Sequence, residues 1–262
     1  DLPYILAMAG KGGVTPTSSS TARTWTFTYA SLTADNFEYI TDEWGDDTNA
    51  TDGIEAFGGV INSYTAGFDN DLSAFDLSAQ NIYANVTLAT AKTGALTLDT
   101  TPTWIYGADT TVYLDTTAGG IGATAVTDAT HSLEWDWKNN LDQKRFANGS
   151  NTRFALAGFG RGKREIEFKW TVAKTAATIA ERATLDDDPT PDRFIRVETI
   201  TPVLAAAGLP YRWTRDVAAN LITATDGEIG GNSTITFTYR VKYNATLAFA
   251  VKDVVVTTLS AL

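Results

Sequence analysis

The feature that most constrains this 262-residue chain is a strict two-residue alternation of large apolar and polar side chains, repeated in four separate segments. Trp25, Phe27 and Tyr29 alternate with threonines. Leu133, Trp135 and Trp137 alternate with Glu134, Asp136 and Lys138. Ile166, Phe168, Trp170 and Val172 alternate with Glu165, Glu167, Lys169 and Thr171. Ile235, Phe237, Tyr239, Val241 and Tyr243 alternate with Thr234, Thr236, Thr238, Arg240 and Lys242. Successive side chains of a strand point to opposite faces, so this period means strands with one buried and one solvated face. Weaker strand signals lie at 59–68, 73–83, 95–99, 111–114, 153–159, 193–200 and 247–257. Strands this numerous with this patterning predict an all-β chain of two packed antiparallel sheets, a sandwich or barrel.

Helix is scarce. The alanine-rich stretch 174–185 predicts one short helix flanking the sheets, stopped by Asp186, Asp187, Asp188 and Pro189. Residues 1–21, with glycines at 10, 12 and 13 and serines at 18–20, read as a flexible N-terminal arm, leaving 22–262 as a single β-sandwich domain. Two polar stretches interrupt the strands: 41–56, which carries six acids, and 115–130, rich in Gly, Ala and Thr.

Composition narrows the chemistry. There is no cysteine and one histidine, His131, so thiolate chemistry, cysteine-bound zinc and His-rich metal sites are excluded. A nucleophilic triad would have to be built on His131 alone, and no spacing supplies its partners. The carboxylate rows Glu134/Asp136 and Glu165/Glu167 have the arrangement of general acid/base pairs, but Lys138 and Lys169 continue both rows, as on an ordinary solvated face. Asp69-Asn70-Asp71 and Asp186-Asp187-Asp188 lack the glycine and terminal Glu of a calcium loop and read as turn and helix-stop residues. Gly158 to Arg164 lacks the spacing of a phosphate loop and reads as a tight turn between strands. No catalytic, cofactor or metal residue is therefore assigned, and the chain is read as not an enzyme. Five N-x-[ST] sequons, at Asn49, Asn85, Asn148, Asn232 and Asn244, are what a threonine-rich chain produces by chance. No apolar run reaches the roughly 20 residues that span a bilayer, so no membrane insertion is expected.

The net charge is −11, which does not attract phosphate. The charge is segregated. From Asp35 to Asp76 there are eleven acids and no Lys or Arg, whereas Lys138 to Lys169 carries eight bases against three acids. One reading is that these patches pair between subunits: an acidic loop of Asp42, Glu43, Asp46, Asp47, Asp52 and Glu55 with a basic patch of Lys144, Arg145, Arg153, Arg161, Lys163 and Arg164. The other is that they neutralise each other within one subunit, or are simply solvated.

Three stretches, taken in order, carry a resemblance. They are Gly58 to Asp69 leading to Leu77-Ser78-Ala79, Ser132 to Trp137 leading to Arg164 to Phe168, and Arg193 to Glu198 leading through Phe237 to Tyr243 and on to Val256. Together they resemble the tail tube (major tail) proteins of long-tailed bacteriophages. The resemblance implies two packed antiparallel sheets with a flanking helix, and homohexameric rings stacked head to tail into a hollow tube. DNA would pass through that tube without sequence-specific binding. It implies partners at the tube ends, the tail tip and tail terminator proteins, and residence in the virion tail after assembly in the host cytoplasm. The arm 1–21 and the stretch 41–56 would be the parts that join neighbouring rings. The alternative is a secreted carbohydrate-binding or glycan-cleaving β-sandwich protein with Trp135, Trp137 or Trp213 as a sugar platform.

Overall fold

The computed structural model describes residues 2–30, 37–45, 51–70, 72–91, 103–144, 158–187 and 189–262. The chain opens with helix α1 (Leu2–Ala9), followed by strands β1 (Thr17–Ser19), β2 (Ala22–Tyr29), β3 (Ile40–Trp44), β4 (Gly53–Phe68) and β5 (Asp76–Ile82). Next come β6 (Asn85–Thr90), β7 (Thr110–Asp115), β8 (Thr130–Lys138), β9 (Leu141–Lys144), β10 (Gly158–Arg161) and β11 (Glu165–Ala173). Helix α2 (Ala176–Ala183) leads into β12 (Asp192–Ala206), β13 (Leu209–Ile229), β14 (Asn232–Lys242) and β15 (Val251–Thr257).

Every strand pairing is antiparallel. The chain is all-β in class, as the alternation predicts. Among the described residues no pairing closes the sheet, so the architecture is a sandwich rather than a closed barrel. One layer runs β1-β2-β15-β13-β12-β7 and the other β13-β14-β11-β8-β4-β5. Strand β13 belongs to both. Its residues 212–217 pair with β15 and its residues 218–229 pair with β14, while β12 lies along its other side. A strand that switches sheets in this way turns the corner between layers.

The apolar faces read from the sequence meet inside. Trp25, Phe27 and Tyr29 of β2 and Val251 and Val255 of β15 face Trp135 and Trp137 of β8, Phe168 and Trp170 of β11, and Phe237 and Tyr239 of β14, all buried. Tyr243 is the exception: it lies beyond β14 and is exposed. The helix expected at 174–185 forms over Ala176–Ala183. It starts with a reciprocal capping box between Thr175 and Thr178 and ends in a 3₁₀ turn at Thr184–Asp186.

Three expectations need correction. The N-terminal segment is not a free arm. Residues 2–9 form α1, whose Leu6, Ala7, Met8 and Ala9 are buried in the main core. A short helix built from Leu, Ile, Met and Ala has no polar face to keep in water, so it packs inside. The stretch 41–56 is not one long loop. Its ends pair as β3 and β4, with Asp42 opposite Ala56, Glu43 opposite Glu55 and Trp44 opposite Ile54. Gly158 to Arg161 is not a tight turn but the edge strand β10, paired with β9. The strand signal at 95–99 and residues 153–157 of the signal at 153–159 lie outside the described residues.

Candidate functional site

Strand β4 positions the outer surfaces of interest. It is 16 residues long and bends at Gly58, where φ is +63°, a conformation that favours glycine. Residues 60–68 belong to the sandwich, paired with β5 and β8, and the last β8 pairing is Ser63 with Lys138. Residues 53–57 continue beyond it, flanked by β3 on one side and β6 on the other.

This three-stranded extension is amphipathic. Cross-strand register puts Trp44, Ile54 and Leu88 in one row and Asp42, Ala56 and Val86 in the next, on one face; Glu43, Glu55 and Thr87 form a row on the other. Trp44, Ile54, Val86 and Leu88 are all exposed, Leu88 by 68%. Trp44 packs edge-on against Tyr83 at 5.8 Å, and the Tyr83 hydroxyl donates to Asp42. Burial, then the hydrogen bond to Asp42, raises the Tyr83 phenol above its ordinary pKa. On the opposite face Glu43 and Glu55 stand directly across from each other, an arrangement that costs stability in an isolated sheet.

A second apolar surface lies just past the other end of β4. Leu72, Trp104, Tyr106, Ala108 and Val203 line a groove of about 360 Å³ with Asp109 and Thr201 at its margin. The groove is fixed by the pairing of Ala74 with Tyr106 and by backbone bonds from Phe75 N to Ile105 O and Gly107 N to Ser73 O. Trp104 is 59% exposed and Leu72 81%. The alternation signal missed both surfaces, because their apolar residues are scattered singly among acids, glycines and threonines. The short Val86-Thr87-Leu88 alternation is the one signal that could have found the extension.

Part of each sequence-predicted charge patch falls among the described residues. Asp42, Glu43, Asp52 and Glu55 belong to or border the extension. Lys144 and Arg161 lie in the β9–β10 hairpin, which packs back toward β4 through Phe37, Val60 and Leu141, with Ile82 and Phe159 against them. Lys144 pairs with its own neighbour Asp142. Lys163 is exposed. Asp46, Asp47, Arg145 and Arg153 lie outside the described residues.

Arg164 is not a surface charge at all. It is buried, donating from Nε to Asn139 Oδ1 at 2.9 Å and from Nη2 to Gly10 O at 3.3 Å, with its guanidinium 4.8 Å from the Trp137 ring and 5.4 Å from Tyr29. Asn139 Nδ2 donates to Ala9 O at 2.6 Å, and Tyr29 Oη to Leu6 O at 3.3 Å. Three side chains thus satisfy carbonyls at the C-terminal end of α1, where the helix dipole favours a cation. Gly10 is required there, since a Cβ would fall 2.0 Å from the Tyr29 ring.

A second buried arginine, Arg215 of β13, lies between the layers. It forms a two-pronged pair with Asp253 of β15 and donates to Tyr64 Oη of β4 at 2.6 Å. Its guanidinium lies 5.0 Å from the rings of Trp135 and Trp213 and 5.5 Å from that of Trp137. Burial works most strongly against the Arg215 charge, but the Asp253 carboxylate together with Tyr64 and Tyr29 more than offsets it and holds the group above its ordinary pKa.

Three of the four carboxylates in the two rows have ion-pair partners. Glu134 pairs with Lys169 at 2.7 Å, Asp136 with Lys138 at 2.7 Å and Glu167 with Arg240 at 2.9 Å, across or along the solvated face. His131 is half-buried in β8. Asp186 sits in the 3₁₀ turn after α2, and Asn70 accepts from Leu72 N in the turn after β4. Among the described residues no group of three or more His, Asp or Glu is placed to hold a metal ion, and no helix is long and apolar enough to cross a membrane. The proposed sugar platforms Trp135, Trp137 and Trp213 are buried; the exposed tryptophans are Trp44 and Trp104. Asn85, Asn232 and Asn244 lie at a strand start, a hairpin turn and an Asx turn; Asn49 and Asn148 lie outside the described residues.

No known family model matches the chain, and no curated protein matches it in sequence.

Proposed function

We propose that this chain is a self-assembling structural subunit of the tail-tube type, building stacked rings into a hollow tube through which DNA passes. The observation that carries the reading is the amphipathic extension β3–β4–β6. An apolar row of Trp44, Ile54 and Leu88 held in water on an extended sheet is costly unless something covers it. Among the described residues the outer edges of β3 and β6 pair with no further strand, and such edges offer backbone groups that a neighbouring chain can use. The net charge of −11 is multiplied in any ring of copies and suits a conduit that phosphate must pass without sticking. Of the carboxylate rows, Glu134 and Glu167 are engaged in cross-strand ion pairs and Asp136 pairs with Lys138 of its own strand. The tip and terminator proteins of a tail would then be its partners at the two ends.

The test is direct. Purified protein at rising concentration is followed by sedimentation and imaged by negative-stain microscopy. Rings and stacks of rings are expected; a monodisperse monomer at every concentration would overturn the reading. A glycan-binding protein would instead remain monomeric and retain sugar on an affinity column.

A further inference from the structure

We infer that the groove beside Trp104 binds a small alkylated ammonium cation, of the kind choline represents, free in solution. The inference stands apart from the self-assembly reading above and does not depend on it.

One short run of chain builds most of the groove. Trp104, Ile105 and Tyr106 are held against the body by the pairing of Ala74 with Tyr106 and the bond from Phe75 N to Ile105 O. Side chains alternate along extended backbone, so Ile105 packs on the main core while Trp104 and Tyr106 turn outward together. The 3₁₀ turn Gly107–Asp109 follows and brings Asp109 to the same groove, and Leu72 and Val203 add apolar walls. At about 360 Å³ the groove falls at the small end of the range of roughly 300–1,000 Å³ that holds small ligands.

The lining selects the ligand by charge. Aromatic rings carry negative faces, Asp109 is the one charged residue of the lining, and no Lys, Arg or His lines it. Among the described residues neither ring stacks on another, and no side chain pairs with the Asp109 carboxylate. Rings and carboxylate together attract a cation, and the apolar walls suit one whose charge is covered by methyl groups instead of bound water. A sugar needs several directional polar partners. The other polar side chain of the lining, Thr201, is buried, with its hydroxyl against the carbonyls of Val203 and Tyr211 at 3.1 and 3.4 Å. A ligand bearing a phosphate, such as a phosphocholine headgroup, would meet a carboxylate and no base. A free methylated cation fits on every count, and the net charge of −11 draws cations toward the chain.

The experiment is calorimetric titration of the full chain with choline, tetramethylammonium, phosphocholine, methyl glucoside and the neutral isostere of choline in which carbon replaces the ammonium nitrogen. Choline and tetramethylammonium are expected to bind about tenfold more tightly than the neutral isostere. Trp104→Leu keeps an apolar wall but removes the ring, and Asp109→Asn removes the charge; each should weaken choline binding about tenfold. Near-UV circular dichroism checks that both fold. If Trp104→Leu does not, Trp104→Phe, which keeps a smaller ring, should weaken binding about threefold. Equal binding of choline and its neutral isostere would overturn the inference, because the groove would then select only for apolar surface. Preference for phosphocholine or for methyl glucoside would overturn it as well, the first pointing to a headgroup site and the second to a glycan site. So would wild-type affinity in Asp109→Asn, or no heat from any of the five ligands.

Discussion

Arg215 and Asp253 face each other across β13 and β15 in a buried, two-pronged ion pair, with Nε–Oδ1 at 2.8 Å and Nη2–Oδ2 at 2.9 Å. Both belong to one layer, yet the guanidinium also reaches Tyr64 of the other and lies among the tryptophan rings of both. The pair is thus a polar pin between the sheets. Breaking one side leaves an uncompensated charge in the core. Arg215→Met or Asp253→Leu should each lower unfolding free energy by about 3–5 kcal/mol, while the double change Arg215→Met with Asp253→Leu should recover much of that loss. Urea unfolding of the three variants in a double-mutant cycle measures it. Equal and additive losses would show that the two groups act independently.

The buried tyrosines set the alkaline limit. Burial pushes the Tyr64 phenol up to about 12, and burial followed by the Asp253 charge raises Tyr29 well above its ordinary value. Burial and then Glu181 do the same for Tyr239. A phenol whose pKa is higher in the folded state keeps its proton there after the unfolded chain has lost it. Its stabilising contribution is complete below pH 10 and falls away as the pH rises through 10 toward 12. Tyr64 alone should remove about 2–3 kcal/mol over that window. Phenolate absorbance should therefore rise in two stages, exposed tyrosines first and the buried three together with cooperative unfolding. A single smooth titration of all ten tyrosines near pH 10, with the fold intact, would contradict this.

Helix α1 should behave as core and not as an arm. Leu6→Ala removes a fully buried side chain and should cost about 2–5 kcal/mol, read as a lower urea midpoint. Asn139→Ala strips the acceptor from Arg164 and the donor from Ala9 O together, and should destabilise by a comparable amount. Variants with wild-type midpoints would mean that α1 contributes nothing to the folded subunit.

Asp115 holds the loop that follows it. Its carboxylate accepts from the backbone amides of Gly122, Ala123 and Thr124 at 2.9, 3.2 and 3.1 Å. Asp115→Ala should speed hydrogen exchange at those amides by at least tenfold while leaving β12 and β13 protected, since the loss is local. Unchanged exchange at 122–124 would show that the loop is held by other contacts.

The four alternating strands were legible because each has one buried and one solvated face, so the side chains report the geometry directly. Strand β13 was not legible. Its residues 213–219 are buried on both faces and include Arg215 and Asp216, so neither alternation nor a continuous apolar run survives. The Asp216 carboxylate is buried because Arg196 of β12 clasps it at 2.6 and 2.9 Å, a partner that sequence spacing cannot supply. Arg164 was misread for the same reason: in sequence it sits among surface bases, and only the fold brings Asn139, Gly10 and Trp137 around it. Helix α1 escaped notice because eight apolar residues show no period, and glycine-rich sequence follows them. The acids at 42–55 were visible from the start, but the apolar row they alternate with becomes a surface only when β3, β4 and β6 lie side by side.

The passage of β13 from one layer into the other also bears on how the subunit carries mechanical load. Two sheets held together by side chains alone can slide or peel apart, and peeling breaks contacts one at a time. Here a single unbroken backbone is hydrogen-bonded to β12 and β15 along its first half and to β14 along its second. Displacing one sheet past the other along β13 would load those ladders in shear, so that many hydrogen bonds must fail together. A force applied at one end of the subunit is therefore carried to the other by a body that bends little, and the sandwich acts as a stiff beam.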